Sequence, residues 1–213
     1  MNLPEKAHIG VLASGRGSNF AALLDRWKSG YFENADFKCL ISNKQNAPAL
    51  DVARSADLPA FAVVPRDYAT PIAYETEIVR LFDEHAVNMV VLAGYMKIIG
   101  STILDRYDGR IVNIHPSLLP SFPGLHAQQQ ALEYGVRHSG CTVHFVDAGL
   151  DSGPIIGQRT VPVLPGDSED DLSERILQQE HELFARCVRA ITTRPWQIEG
   201  RRVVFLDNSP EPL

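Results

Sequence analysis

Short apolar runs alternate with predicted helices over the first half of the chain. Five such runs predict buried strands, because strands covered on both faces lack polar positions: residues 9–13, 37–41, 60–64, 88–94 and 109–115. Helices are predicted between them: 20–30, 47–57, 73–85 and 101–107. Strands that alternate with helices favour parallel pairing and right-handed crossovers. The run 88–94 is the most apolar and is expected near the centre of the sheet.

The pattern changes after Gly140, where polar and apolar residues alternate. Two extended runs joined by a loop predict a pair of antiparallel strands: 141–146, 155–163 and the loop 147–154. Two more helices and one strand are predicted before a proline-rich terminus: 126–134, 168–192 and 202–206. Ser168 and Asp171 resemble a capping box at the start of the last helix. Without internal repeats or linkers, the chain is predicted to be one α/β domain with a mostly parallel central sheet and an antiparallel C-terminal part.

Composition narrows the class of protein. The 213 residues fit one large domain, and 45% hydrophobic with 22% charged residues is ordinary for a globular protein. The net charge of −6 argues against broad nucleic-acid binding, which needs a basic surface. Three cysteines far apart, without metal-ligand spacing, indicate reduced thiols in a cytoplasmic protein: Cys39, Cys141 and Cys187. Neither a signal peptide nor a membrane-spanning run is expected.

A glycine-rich turn between the first strand and the first helix is the first candidate for chemistry. It comprises Ser14, Gly15, Arg16, Gly17, Ser18 and Asn19. Glycines let the backbone approach a phosphate, and the free N–H groups of the first helical turn attract anions. Ser18 or Asn19 is expected to cap the helix or donate to the phosphate. The turn matches neither the dinucleotide motif nor the P-loop, so a capped helix without a ligand is the alternative.

The second candidate is the stretch from Asn113 to Gly124. Strand alternation places Asn113 and His115 on one face, and Pro116 ends the strand. Ligands bind at the carboxyl ends of strands in open α/β sheets, although a buried pair that satisfies itself is the alternative. In the loop 147–154, Asp147 is expected to bond within its own turn, whereas Asp151 is the candidate functional carboxylate.

Four strings together resemble the phosphoribosylglycinamide formyltransferase family of folate-dependent enzymes. They are Ser14-Gly15-Arg16-Gly17-Ser18-Asn19, Leu92-Ala93-Gly94-Tyr95-Met96, Asn113-Ile114-His115-Pro116-Ser117-Leu118-Leu119-Pro120 and Leu150-Asp151-Ser152-Gly153-Pro154. The resemblance runs from about Ile9 to Ile191. It implies a single-domain, Rossmann-like formyltransferase fold with helices on both faces of the sheet. It also implies transfer of a formyl group from 10-formyltetrahydrofolate to the amine of glycinamide ribonucleotide in purine biosynthesis.

The resemblance assigns roles by position. The catalytic trio would be Asn113, His115 and Asp151. The ribonucleotide would bind Gly15, Arg16, Gly17, Ser18, Asn19, Gly94 and Glu180. The folate would bind Arg66, Leu92, Met96, Lys97, Ile98, Ile99, Ala148 and Asp151, with His126 in support and no metal. Residues 8–94 would form the ribonucleotide-binding half, 95–192 the catalytic and folate-binding half, and 193–213 a tail.

Two departures and three alternatives accompany this interpretation. Pro71 lies where the family often has an arginine for the glutamate tail of the folate, so Arg66 is the substitute candidate; Lys97 also replaces a frequent arginine.

Methionyl-tRNA formyltransferase carries a further C-terminal domain and a basic surface, which this chain lacks. Formyltetrahydrofolate deformylase carries an extra N-terminal domain, whereas the fold here starts near His8. A non-catalytic nucleotide-binding module would not need the complete trio. The expected partners are small molecules, with no nucleic acid or membrane, in a monomer or homodimer.

Overall fold

A computed structural model describes residues 6–207; the polar start of the chain and its proline-rich end lie outside this range. The strands are β1 Ala7–Ala13, β2 Ala35–Ser42, β3 Ala60–Ala62, β4 Met89–Leu92, β5 Ile111–His115, β6 His138–Phe145, β7 Ile155–Pro162, β8 Trp196–Glu199 and β9 Arg202–Phe205. The α-helices are α1 Ser18–Lys28, α2 Pro48–Arg54, α3 Pro71–Glu84, α4 Ser101–Arg106, α5 Ala127–Tyr134 and α6 Glu169–Thr193. A 3-10 turn covers Pro65–Asp67.

The strands form one nine-stranded sheet in the order β3-β2-β1-β4-β5-β6-β7-β9-β8. The first five strands are parallel, and β6 is antiparallel to β7, as the alternating pattern predicts; β6 is also antiparallel to β5. The chain moves outward from β1 to β3 and returns through β4 on the other side of β1. This reversal opens a crevice at the carboxyl ends of β1 and β4, where open α/β sheets bind ligands.

Alternate residues of the parallel strands enter two separate hydrophobic cores, one on each face of the sheet. In β1, Ile9 and Val11 join the core with α1, α2, α5 and α6, whereas Leu12 joins the core with α3 and α4. In β4, Met89 and Val91 follow the first pattern. The predicted fold class is therefore confirmed, including helices on both faces. Within residues 6–207 no helix is long and apolar enough to cross a membrane.

The C-terminal segment differs from its prediction. One strand was expected at 202–206, but Trp196–Glu199 and Arg202–Phe205 form an antiparallel hairpin with Glu199 opposite Arg202. Gly200, at a φ of 61°, allows the two-residue turn between them. β9 joins the sheet beside β7, so this segment extends the sheet rather than trailing from it. β8 lies at the edge of the sheet and pairs with β9, so it depends on the hairpin rather than on a pattern of its own.

Candidate active site

Asn113 and His115 lie on the same face at the end of β5, as strand alternation predicts. Val112 and Ile114 point into the opposite core, with α5 and α6. In β6 the same alternation places Thr142 opposite His115 and His144 opposite Asn113. Four polar side chains of two adjacent strands therefore share one patch of the sheet, which we call the catalytic corner.

The loop after β5 is held against this patch by side chains of β6 and β7. Thr142 donates from Oγ1 to the carbonyl of Ser117 over 2.7 Å and accepts from the N–H of Leu119 over 3.0 Å. Gln158 donates to the carbonyl of Leu119 over 2.9 Å. The following peptide bond, between Leu119 and Pro120, is cis. The hydrogen bonds of Thr142 and Gln158 hold the proline-rich loop in place along one side of the site.

His115 and Asp151 are the pair of side chains best placed for acid–base chemistry. The carbonyl of Phe122 only accepts, so Nε2 of His115 carries a hydrogen and donates it over 2.9 Å. Nδ1 of the same ring lies 3.4 Å from Oδ2 of Asp151. A neutral ring would present a lone pair to the carboxylate at Nδ1, so attraction across this gap needs one further proton. The geometry thus brings a carboxylate to within 3.4 Å of the ring nitrogen that faces away from Phe122.

Asp151 reaches His115 because its loop folds back over the sheet. The loop leaves β6 beside the first residue of β5, where the N–H of Val146 donates to the carbonyl of Ile111 over 2.9 Å. Asp147 accepts from the N–H of Gly149 and the hydroxyl of Ser152, which confirms its expected turn role. Asp151 adopts a φ of 49°, a conformation that aspartate tolerates better than most residues.

The second loop fixes the same carboxylate. Oδ2 of Asp151 accepts from the N–H of Gly124 over 2.8 Å. Gly124 belongs to the proline-rich loop, so the loops after β5 and β6 meet at this hydrogen bond. The hydrogen bond thus orients the carboxylate of Asp151 toward His115.

His144 belongs to the corner but was missed by sequence reasoning. Nδ1 lies 2.8 Å from the carbonyl of Phe145, which only accepts, so Nδ1 carries the hydrogen. Burial lowers the pKa of His144, and the neutral ring therefore accepts at Nε2. Asn113 donates its Nδ2 hydrogen there, over 3.2 Å. The second Nδ2 hydrogen of Asn113 has no partner within residues 6–207 and can bind a ligand. The sequence signal for His144 is its position in the polar–apolar alternation of β6. That position becomes informative only once the register between β5 and β6 is known.

The glycine loop begins α1 differently from its prediction. The N-cap is Gly17, at a φ of 79°, and no side chain caps this helix start. Of the two roles expected for Ser18 or Asn19, capping is therefore wrong, and donation to a phosphate stays a prediction. The helix begins one residue earlier than that capping requires. A Cβ on Gly17 would lie 2.8 Å from Cβ of Ala49, so only glycine fits here. The first-turn N–H groups have no acceptor within α1 and can bind an anion.

Asn19 connects the glycine loop to α6. Its Nδ2 donates to Oε2 of Glu180 over 2.8 Å, and Glu180 is buried. Burial raises the pKa of Glu180, and the hydrogen bond from Asn19 opposes that rise. The Oδ1 atom of Asn19 is buried and has no partner within the described residues. A buried acceptor without a partner is consistent with a ligand hydroxyl or amine at this position.

The segment after β4 carries the predicted folate wall. Leu92 pairs with Asn113 across the sheet, and both Leu92 and Ile99 are buried. Met96 and Ile98 are 64% and 78% exposed. Ser14 ties this segment to the start of the glycine loop: its N–H donates to the carbonyl of Gly94 over 3.0 Å, and its Oγ accepts from the N–H of Met96 over 2.8 Å.

Three predicted residues lie apart from these contacts. Arg66, in the 3-10 turn, has an 82% exposed side chain that pairs with Asp67 at 3.8 Å. Ala148 is exposed in the loop before Asp151. His126 occupies the N-cap of α5 at a φ of 58°, and its side chain makes no capping hydrogen bond. No described hydrogen bond or ion pair joins them to His115, Asn113 or Asp151.

In the described part of the chain, no group of three or more histidine, cysteine, aspartate or glutamate side chains is placed to hold a metal ion. Cys39, Cys141 and Cys187 are buried free thiols. Burial raises the pKa of the Cys39 and Cys141 thiols to about 12, so both are inert as nucleophiles.

The fold and the corner agree with a known class of enzyme. The formyl transferase family matches residues 7–188, and the chain belongs to that family. Within the family, phosphoribosylglycinamide formyltransferase of Bacillus subtilis (strain 168) is 40% identical over 181 residues, which cover 85% of this chain and 92% of the relative. The formyl transferase family indicated by the sequence motifs is confirmed.

Two further similarities refine this placement. Glycinamide ribonucleotide transformylase 1 from Symbiobacterium toebii superposes with a TM-score of 0.93 at 44% identity, covering 97% of this chain and 99% of that one. Trifunctional purine biosynthetic protein adenosine-3 of Drosophila melanogaster is 44% identical over 184 residues, 86% of this chain. The chain spans only 14% of the length of that fly protein.

Proposed function

We propose that this chain transfers the formyl group of 10-formyltetrahydrofolate to the amine of glycinamide ribonucleotide, producing formylglycinamide ribonucleotide in purine biosynthesis. The observation that carries the proposal is the catalytic corner itself. Asn113, His115 and Asp151 meet at one end of β5, and only β4 separates β5 from the strand that leads into the glycine loop. The names of the Bacillus and Symbiobacterium relatives support this reaction.

The three side chains divide the chemistry between them. The attacking amine converts the formyl carbon to a tetrahedral centre with a negatively charged oxygen. The free N–H of Asn113 stabilises that oxygen, because a fixed donor needs no reorganisation as the charge develops. His115 and Asp151 hold and release the single proton that must move between the two nitrogens. These roles require no metal ion.

The ribonucleotide extends from the glycine loop toward the corner. Its phosphate binds the backbone of residues 15–19, and Gly94 and Glu180 contact the remainder. Adjacent strands lie about 4.8 Å apart, so the ends of β1 and β5 are separated by about 10 Å, a span that one nucleotide bridges. Residues 8–94 therefore bind the ribonucleotide, and residues 95–192 supply the catalytic groups. Glu180 is the exception, because it belongs to the second segment but contacts the ribonucleotide.

The folate binds against the segment after β4. Leu92 and Ile99 form the apolar floor, whereas the exposed Met96 and Ile98 close over the flat pterin ring. Lys97, Ala148 and Asp151 border this slot through backbone groups. Arg66, on the surface, meets the glutamate tail, and His126 supports the corner from α5.

The partners proposed for the chain are small molecules alone, without nucleic acid, bound by a monomer or homodimer in the cytoplasm. The net charge of −6 supports the absence of a nucleic-acid surface. Three buried free thiols support a reducing compartment.

The test is a formyl-transfer assay with three acceptors. We supply 10-formyltetrahydrofolate with glycinamide ribonucleotide, with initiator methionyl-tRNA, or with water as the only acceptor. Rapid consumption that depends on glycinamide ribonucleotide is expected. Consumption that depends on the tRNA, or that is equally fast in water, would instead identify a methionyl-tRNA formyltransferase or a deformylase. No consumption with any acceptor would favour a non-catalytic binding module.

A further inference from the structure

We infer that Tyr74 and Glu75, neighbours on α3, are positioning residues that hold residues 93–100 in the shape of the folate wall. This inference rests on the proposed function, because it concerns the folate side of the same site. Residues 93–100, which we call the pterin loop, connect β4 to α4.

Glu75 holds the far end of the pterin loop. Its side chain is buried, and Oε1 accepts from the N–H of Gly100 over 2.6 Å. A Cβ on Gly100 would lie 2.6 Å from Oε1 and 2.7 Å from Oε2, so the carboxylate closes directly on the loop backbone. Burying a carboxylate is unfavourable unless it is hydrogen-bonded. A buried Glu75 is therefore unfavourable for the packing of α3 itself, but its hydrogen bond fixes the backbone position of Gly100.

Tyr74 holds the beginning of the same loop. It is 1% exposed, and its hydroxyl forms a short hydrogen bond with the hydroxyl of Tyr95. Burial raises the pKa of both phenols, so the two hydroxyls stay protonated. The ammonium of Lys97 lies 5.5 Å from the centroid of the Tyr74 ring, within reach of a cation–π interaction.

The anchored positions alternate with the exposed ones. Tyr95 and Lys97 contact α3, whereas Met96 and Ile98, between and beyond them, point into solvent. Tyr74 thus holds Tyr95 and Lys97 toward α3, Glu75 fixes the backbone at Gly100, and the intervening apolar side chains stay free. An apolar slot for a flat ring needs this arrangement, because binding affinity depends on side chains that are already in place.

The test separates the two substrates. We expect Glu75→Ala to raise KM for 10-formyltetrahydrofolate about tenfold, as for loss of a hydrogen bond to a charged group, with KM for glycinamide ribonucleotide and kcat close to wild type. Glu75→Gln should restore the folate KM, because its amide oxygen still accepts from Gly100. Glu77→Gln is the matched control, since Glu77 lies on the same helix and pairs with Arg80 at the surface. An unchanged folate KM in Glu75→Ala, or an equal rise in both KM values, overturns the inference.

A second variant approaches the contact from the loop. Gly100→Ala keeps an allowed backbone, with a φ of −90°, but its new methyl group displaces the Glu75 carboxylate. It should reproduce the folate-specific effect even if Glu75→Ala fails to fold. Calorimetric binding of tetrahydrofolate provides a readout without turnover. Unchanged tetrahydrofolate affinity in both variants overturns the inference and leaves the proposed function intact, whereas a wild-type protein that transfers no formyl group refutes the proposed function itself.

Discussion

In the proposed site the backbone of the glycine loop forms the binding surface, whereas in the catalytic corner the side chains do. Gly17 begins α1 in a left-handed conformation against Ala49, and the first-turn N–H groups are the proposed donors. At the end of β5, by contrast, Asn113 and His115 are each oriented by a specific neighbour, His144 and Asp151. Both regions lie at the carboxyl ends of nearby parallel strands.

This difference determines what each region tolerates. A backbone site is insensitive to most side chains but fails when a Cβ enters space that the main chain needs. A side-chain site fails when one functional group is removed, even if the backbone is unchanged. The predictions below test this contrast at four positions.

The largest effect is expected at His115. Removing the imidazole in His115→Ala should lower kcat by about 10²–10⁴-fold, the usual contribution of a positioned acid or base. Steady-state assays with both substrates saturating measure this loss, and circular dichroism checks the fold. The matched control is His138→Ala, at the exposed start of β6. A His115→Ala enzyme as active as this control would remove His115 from the mechanism.

Gly17→Ala tests the backbone site. The methyl group would lie 2.8 Å from Cβ of Ala49, and an L-residue is strained at a φ of 79°. We expect KM for glycinamide ribonucleotide to rise about tenfold, as for a cost of 1–2 kcal/mol, with the folate KM unchanged. Gly30→Ala is the control, because Gly30 has the same φ of 79° but open space around its Cβ. Equal KM values for glycinamide ribonucleotide in the two variants would contradict phosphate binding by the backbone of the glycine loop.

His144 gives the corner a pH dependence of stability. Burial lowers its pKa below the ordinary 6.5, so the unfolded chain binds this proton more readily than the folded one. The free energy of unfolding should therefore fall as pH drops below about 6.5 toward the folded pKa. In His144→Phe the fall in the free energy of unfolding between about pH 7.5 and pH 5.5 should be smaller than in the wild type, as measured by urea unfolding. His138→Phe should match wild type; identical slopes in all three proteins would show that His144 does not titrate on unfolding.

The sequence predicted what depends on local pattern. The first seven strands and six helices follow from apolar runs, spacing and turn residues, and strand alternation alone placed Asn113 beside His115. His144 required the β5–β6 register, which sets it opposite Asn113, and no local pattern reveals that register. Glu75 and Gly100 are 25 positions apart, so their contact required the packing of α3 against α4. The role of Asp151 came from resemblance, because a loop carboxylate has no periodicity to follow.

Arg16 should show the smallest effect and sharpen the contrast most. Its side chain is exposed beside Gly17, where a basic group invites assignment as the phosphate ligand. If backbone N–H groups hold the phosphate, Arg16→Ala should change KM for glycinamide ribonucleotide by less than about fivefold, as for an exposed ion pair of at most about 1 kcal/mol. That residual effect should vanish at high salt, because exposed charges are screened. Arg54→Ala, in an exposed pair on α2, controls for loss of surface charge. A large, salt-resistant rise in KM for Arg16→Ala would mean that this arginine folds over the phosphate and that the glycine loop, too, binds through a side chain.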